Sequence, residues 1–143
     1  MKVVLGADHA GYGLKEKVRK HLEHKDIDVQ DFGTYNAESC DYNDSAKKVA
    51  EAVASKQADR GILICGTGIG MSIQANKTKG VRAALVHDMF SAKATRLHND
   101  SNVLTMGGRI LGEDLAKAIV DVWLETEFSA EDRHKRRVEK IEQ

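Results

Sequence analysis

Two loops hold the residues whose types and spacing could do chemistry. One reads Gly6-Ala7-Asp8-His9-Ala10-Gly11 and the other Cys65-Gly66-Thr67-Gly68-Ile69-Gly70; each follows an apolar run. Alternating glycines at 66, 68 and 70 let successive backbone N–H groups converge on one point, a concavity suited to an anionic oxygen. The competing reading is a tight strand-to-helix turn with no ligand. The dinucleotide fingerprint GxGxxG fails here, because a match starting at Gly66 requires glycine where the chain has Met71. No Gly-Lys-Ser/Thr follows to make a Walker A loop, so adenine-nucleotide binding is disfavoured. Cys65 ends an apolar strand, where a cysteine can be an inert core residue. Beside a glycine nest and a helix start, N–H donors instead favour the thiolate, the form that acts as base or nucleophile.

The remaining polar candidates lie further along the chain. His98 falls in Arg96-Leu97-His98-Asn99-Asp100, at the end of a helical stretch and ahead of a strand. That places it on the amino edge of a parallel sheet, the wrong edge for its own chain's loops. It is either a helix C-terminal histidine favoured by the dipole, or it enters a neighbouring subunit's pocket, which requires an oligomer. Arg133 and Arg137 are four apart and project on one side of a helix, able to grip a phosphate. Alternatively they belong, with Lys135 and Arg136, to a solvated face. Arg109 follows the final strand, arrives at the carboxyl edge and could join them. His21 and His24 sit on a charged helix and read as solvated, while His87 and His134 receive no assignment; Cys40 reads as a surface-loop cysteine. A metal site built from Asp8, His9, Cys65 and His98 has no compact ligand spacing, so no metal is expected.

Positioning these residues requires a scaffold, and the hydrophobic pattern supplies one. Lys2–Leu5, Ile27–Phe32, Gly61–Ile64, Val81–Val86 and Asn102–Met106 read as strands. Leu14, Val18 and Leu22 mark one helix face, and Ala46, Val49, Ala50, Val53 and Ala54 a second, ending near Lys56. Further helices are expected over Met71–Asn76, over Ser91–Leu97 and around Leu115, Ala116, Ile119, Val122 and Trp123. Strands that alternate with helices at this spacing must run parallel. The expectation is a Rossmann-like, doubly wound α/β fold with a five-stranded parallel sheet and helices on both faces. In such a sheet ligands bind beyond the carboxyl ends of the strands. A separate basic helix over about 130–142 closes the chain, with Ser129, Glu131 and Asp132 resembling a capping box.

Composition bounds the function. At 143 residues, one domain spanning 1–143 is expected, since typical domains hold roughly 100–200 residues. Twenty-two basic and 22 acidic residues cancel, which argues against a nucleic-acid partner. No apolar run approaches the roughly 18 residues of a membrane span. The opening apolar stretch breaks at Gly6, too soon for a signal peptide. Two cysteines without CxxC spacing fit a reducing compartment, so a cytoplasmic protein is expected.

Taken together, these motifs resemble the ribose 5-phosphate isomerase B family, which also contains the galactose 6-phosphate isomerase subunits. The likeness runs essentially end to end. It rests on Gly6–Gly11, Asp31-Phe32-Gly33-Thr34, Asp41-Tyr42, Ile64–Gly70, Ala75-Asn76-Lys77, His98-Asn99-Asp100-Ser101-Asn102 and Arg133-His134 with Arg137. The resemblance implies a dimer or pair of dimers interconverting aldose and ketose phosphates without cofactor, in sites shared between subunits. It implies that Cys65 moves a proton between C1 and C2 through a cis-enediolate. The N–H groups of Gly66, Gly68, Ile69 and Gly70 and the Thr67 hydroxyl would hold the oxyanion. His98 would open the furanose ring, with Asp8, His9, Tyr42 and Asn99 on the sugar and Arg109, Arg133 and Arg137 on the phosphate. One branch of the family places a glutamate base where this chain has Met71, which leaves Cys65 as the loop's base. Asn43 replaces a proline often found after the Asp-Tyr pair, and Ala130-Glu131-Asp132 replaces common glycines. Ribose 5-phosphate is the expected substrate, because one galactose-enzyme subunit lacks the cysteine pattern that this chain keeps. Allose or galactose 6-phosphate is the nearest alternative. A non-catalytic sugar-phosphate module is the alternative of another class; a receiver-type domain would need an acidic pocket, and only Asp8 follows the first strand.

Overall fold

The computed structural model describes residues 1–143. In chain order the elements are β1 (Lys2–Ala7), α1 (Tyr12–Glu23), β2 (Asp28–Asp31), α2 (Tyr42–Ala54), β3 (Arg60–Cys65) and α3 (Ile69–Ala75). Then follow β4 (Ala83–Leu85), α4 (Met89–Asn99), β5 (Val103–Gly107), α5 (Glu113–Glu125) and α6 (Asp132–Ile141). The five strands form one sheet in the order β2-β1-β3-β5-β4, and every pairing is parallel. The expected doubly wound α/β architecture is the observed one. No helix is long and apolar enough to cross a membrane.

The central strands are apolar on both sides because helices cover both faces. On one face Val3, Leu5, Ile62, Ile64, Leu104 and Met106 pack with Leu14, Val18 and Leu22 of α1, Ala92 of α4, and Ile119 and Trp123 of α5. On the other, Val4, Leu63, Cys65 and Val103 pack with Ala46, Val49 and Val53 of α2 and Met71 and Ala75 of α3. The edge strand β2 alternates instead, with Asp28 and Gln30 outward. From β1 the order runs outward to β2 and then back across to β3. The crevice at the carboxyl ends of β1 and β3 is therefore the switch point where such sheets take ligands, and the two glycine-bearing loops leave from there.

Several boundaries differ from the expected ones for local reasons. Helix α2 starts at Tyr42, behind the N-cap Asp41, although its first fully buried apolar residue is Ala46. Helix α3 begins at Ile69, inside the glycine run, with Gly68 as its N-cap. Strand β4 shrinks to three residues: the Val81 N–H closes a turn on Thr78, and the Arg82 N–H is taken by the Asn102 side chain. The expected capping box does not form. Glu131 is the N-cap of α6 and makes no side-chain cap, while Ser129 Oγ lies 2.7 Å from His134 Nδ1.

One buried charge fastens the switch point. Lys15 is fully buried, and its ammonium meets Asp31 Oδ1 at 2.9 Å, Asp31 Oδ2 at 2.7 Å and the Thr34 carbonyl. All three donors are thereby used, with the rings of Tyr12 and Tyr35 flanking the charge. The segment it grips lies against the end of β1, where the Thr34 N–H donates to the Ala7 carbonyl at 2.8 Å. Removing one partner of such a pair leaves a charge stranded in the interior, which costs more than never having buried it. Asp31→Ala is expected to destabilise the fold by about 3 kcal/mol, read from urea unfolding. Adding Lys15→Met to that variant should recover more than half of the loss; no recovery would show that the ion pair is not what holds the segment.

Candidate active site

At the carboxyl end of β3 the Cys65 thiol is buried, and the Gly68 N–H donates to Sγ at 3.1 Å. A donor so placed is accepted more strongly by a thiolate than by a thiol. The turn that aims it requires Gly68 at φ +77°, the left-handed region that other residues resist. Thr67 Oγ1 accepts the Ile69 N–H at 3.2 Å, while the Gly66 and Thr67 amides make no hydrogen bond within the chain. Donors with no intramolecular partner at the rim of a concave turn are what an oxyanion needs.

Three further elements converge on this turn. From the loop after β1, Asp8 is buried and its Oδ1 accepts the N–H groups of Ala10 at 2.9 Å and Gly11 at 3.0 Å. The adjacent His9 accepts the Cys40 N–H on Nδ1 at 3.3 Å, which puts the imidazole proton of the neutral ring on Nε2. From the start of α2, the Tyr42 ring lies so close to Gly70 that a Cβ there would stand 2.7 Å from Cζ. From the end of β5, the exposed Arg109 reaches over Gly66, a Cβ there standing 3.3 Å from Nη1, and it has no acidic partner in the chain. The structure thus brings Asp8, His9, Tyr42, Cys65, Gly66, Thr67, Gly68, Ile69, Gly70 and Arg109 to one edge.

His98, Asn99, Arg133 and Arg137 lie at the other edge. His98 and Asn99 form the last turn of α4, just ahead of β5. Arg133 and Arg137 ride exposed on α6, which packs against α4. The five residues of β5 separate the edges by about 16 Å, so Arg109 does not join Arg133 and Arg137 within one chain. One parallel sheet sends strand ends and helix ends to opposite sides. The amino-edge turn is itself well held. Arg96 is buried and bonds the Asp100 carboxylate at 2.8 Å and the Thr126 carbonyl at 3.1 Å, and the Trp123 indole N–H donates to Ser101 Oγ at 2.9 Å. A groove of about 620 Å³ lies at this edge between Asn76, Arg82, Thr95, Asn99 and Glu142, and Cys65 takes no part in its lining.

Some further contacts involve residues to which the sequence assigns no role. His87 accepts the Gly107 N–H on Nε2 at 3.0 Å and so ties β4 to the end of β5 that abuts Gly66. Ser45 Oγ donates to the Ala7 carbonyl at 2.8 Å, pinning α2 to the end of β1. His134 is buried beside His98; desolvation first, then the neighbouring His98 and Arg133, hold its imidazole below the ordinary histidine range. The Ser129–His134 contact was concealed by the capping-box pattern. No group of three or more His, Cys, Asp or Glu side chains is arranged to hold a metal ion.

The fold and the motifs have close counterparts among known proteins. The family model described as Ribose/Galactose Isomerase matches residues 3–141. Ribose-5-phosphate isomerase B of Escherichia coli (strain K12) is 47% identical over 140 residues, covering 98% of this chain and 93% of that protein. D-erythrulose-4-phosphate isomerase 2 of Mycolicibacterium smegmatis is 45% identical over 131 residues, covering 90% of this chain and 86% of that protein. Among solved structures, ribose-5-phosphate isomerase B of Clostridium thermocellum superposes with a TM-score of 0.97 at 51% identity, covering 99% of this chain and 95% of that one. The chain belongs to the Ribose/Galactose Isomerase family and is an isomerase.

Proposed function

We propose that the protein interconverts D-ribose 5-phosphate and D-ribulose 5-phosphate, with Cys65 as the base. The observation that carries this reading is the Gly68 N–H aimed at Cys65 Sγ at 3.1 Å, in a turn whose Gly66 and Thr67 amides have no partner in the chain. A thiolate there removes the C2 hydrogen of the open-chain aldose as a proton. The electron pair left on C2 forms a C1–C2 double bond, and the C1 carbonyl oxygen takes the negative charge. Returning the proton to C1, with the hydroxyl proton passing from O2 to O1 and O2 becoming a carbonyl, gives the ketose. Atoms and electrons balance without a cofactor. The oxyanion is held by the glycine turn from Gly66 to Gly70 with the Thr67 hydroxyl: the Gly66 and Thr67 amides are free to donate, while those of Gly68 and Ile69 leave Cys65 Sγ and Thr67 Oγ1 to do so, and such donors lower the barrier most when they are preorganised.

The sugar arrives mostly as a closed furanose, so a proton must first reach the ring oxygen. His98 is the proposed acid, Asp8, His9, Tyr42 and Asn99 are the sugar contacts, and Arg109, Arg133 and Arg137 hold the phosphate. Remote phosphate binding orients C1 and C2 against the sulfur, turning binding energy into proximity. Because a single chain keeps His98, Asn99, Arg133 and Arg137 on the far edge, the complete site is formed by two copies, in a homodimer or a dimer of dimers. Exposed apolar side chains support this: Ile69 and Ile73 of α3, Leu85 of the edge strand β4, and Met89 and Phe90 of α4, Phe90 at 83%. A cytoplasmic setting suits a chain whose two cysteines are both free and whose proposed base is one of them.

The deciding experiment is an isomerisation assay across ribose 5-phosphate, allose 6-phosphate, galactose 6-phosphate and D-erythrulose 4-phosphate, each with and without chelator. Ribose 5-phosphate is expected to show the highest kcat/KM and no chelator effect; preference for a six-carbon or four-carbon substrate would reassign the sugar. Binding of all of them without turnover would make the chain a sugar-phosphate-binding module. Cys65→Ala is expected to lower kcat about a thousandfold while phosphate affinity, measured by calorimetry, changes little; near-normal turnover would remove Cys65 as the base. Mixing Cys65→Ala with His98→Ala protein should regain activity through hybrid sites that pair an intact thiol with an intact imidazole. Absence of recovery despite subunit exchange verified by mass spectrometry would rule out sharing.

A further inference from the structure

We propose that His134 is the positioning residue for His98, holding its imidazole at the angle from which it serves the site of the other subunit. The inference rests on the role proposed for His98 and extends it to a side chain outside that machinery. His98 sits exposed on the last turn of α4, where little of its own helix restrains the ring. The His134 ring is what it meets: the two ring centroids are 4.6 Å apart, with planes tilted by 39°.

His134 is built as a support rather than as a ligand contact. It is 5% exposed, on the inward side of α6, while its neighbours Arg133 and Arg137 face solvent. Its orientation is fixed from behind by Ser129. Ser129 Oγ accepts the Glu131 N–H at 3.4 Å and shares a hydrogen bond with His134 Nδ1 at 2.7 Å. Ser129 is in turn tied to α4, its N–H donating to the Leu97 carbonyl at 3.3 Å, one residue before His98. Desolvation first, then the neighbouring His98 and Arg133, lowers the His134 pKa from the ordinary histidine value, which favours the neutral ring against His98. Serine, inner imidazole and outer imidazole thus form one continuous brace running back into α4.

Two readouts separate positioning from general damage. Turnover of ribose 5-phosphate requires ring opening, whereas exchange of the C1 hydrogen of ribulose 5-phosphate with deuterated water requires only the base. His134→Asn keeps an acceptor for Ser129 but removes the ring against which His98 rests. It is expected to lower turnover about tenfold, since misplacement by about 1 Å can cost up to about a hundredfold, while the exchange stays within about threefold of the parent enzyme. His134→Phe, which restores a ring, should recover most of the turnover. Ser129→Ala, the milder change, should lower turnover about threefold in the same selective manner, and serves if the His134 variants do not fold. Equal losses in both readouts, or no loss in either from a folded, dimeric variant, would overturn the proposal. His98→Ala run alongside identifies which idea has failed. Selective loss in His98→Ala but not in His134→Asn sinks the brace alone. Absence of selective loss in His98→Ala sinks the role of His98 and the brace with it.

Discussion

A parallel sheet sends the end of every strand to one edge and the end of every intervening helix to the other. In this chain that constraint sorts the chemistry before any side chain is considered. Cys65, the glycine turn, Asp8, His9, Tyr42 and Arg109 follow strands or begin helices and share one edge; His98 and Asn99 end α4 and share the other with α6. No loop rearrangement of modest size could bridge a sheet about 16 Å deep. Two half-sites on one polypeptide, facing away from each other, make sense when a second copy supplies the complement. On the proposed reading, a second copy supplies the complement to each half-site.

Rigidity at the carboxyl edge comes from contacts one layer behind the thiol. Lys15 clamps the segment after β2, that segment pairs with the end of β1, and Ser45 joins the same Ala7 carbonyl from α2. His87 does the corresponding work for β5. The neutral bonds are worth about 1 kcal/mol each and the charged Lys15 clamp about 2, and together they fix four strand ends around the Cys65 turn. Preorganisation of this kind has to be built into the ground-state fold.

Much of this was legible in the residues. The apolar runs before Gly6 and Gly66 could only be central strands, and the Leu14, Val18 and Leu22 spacing could only be a helix face. The placement of His98 on the edge away from Cys65 followed from strand and helix order alone. The parts that escaped share a physical cause: a local pattern was overridden by a distant partner. Lys15 reads as a surface residue until Asp31, sixteen positions away, is folded beneath it. Ser129 reads as a helix cap until His134 turns back to occupy its hydroxyl. Tyr42 and Asn43 carry no apolar signal of a helix, and glycines at 68 and 70 argue against one, yet α2 and α3 both start there because tertiary packing outweighs propensity.

Asp8 has a consequence of its own. One oxygen of its carboxylate is consumed by the amides of Ala10 and Gly11, and the other has no partner in the chain. The free oxygen therefore offers its lone pairs from a fixed bearing, since the carboxylate cannot swivel without releasing both amides. Exchanging it for the isosteric amide would leave the bend of the backbone intact while turning the offered prong from a taker of protons into a giver, so the polarity of this corner is set by one atom.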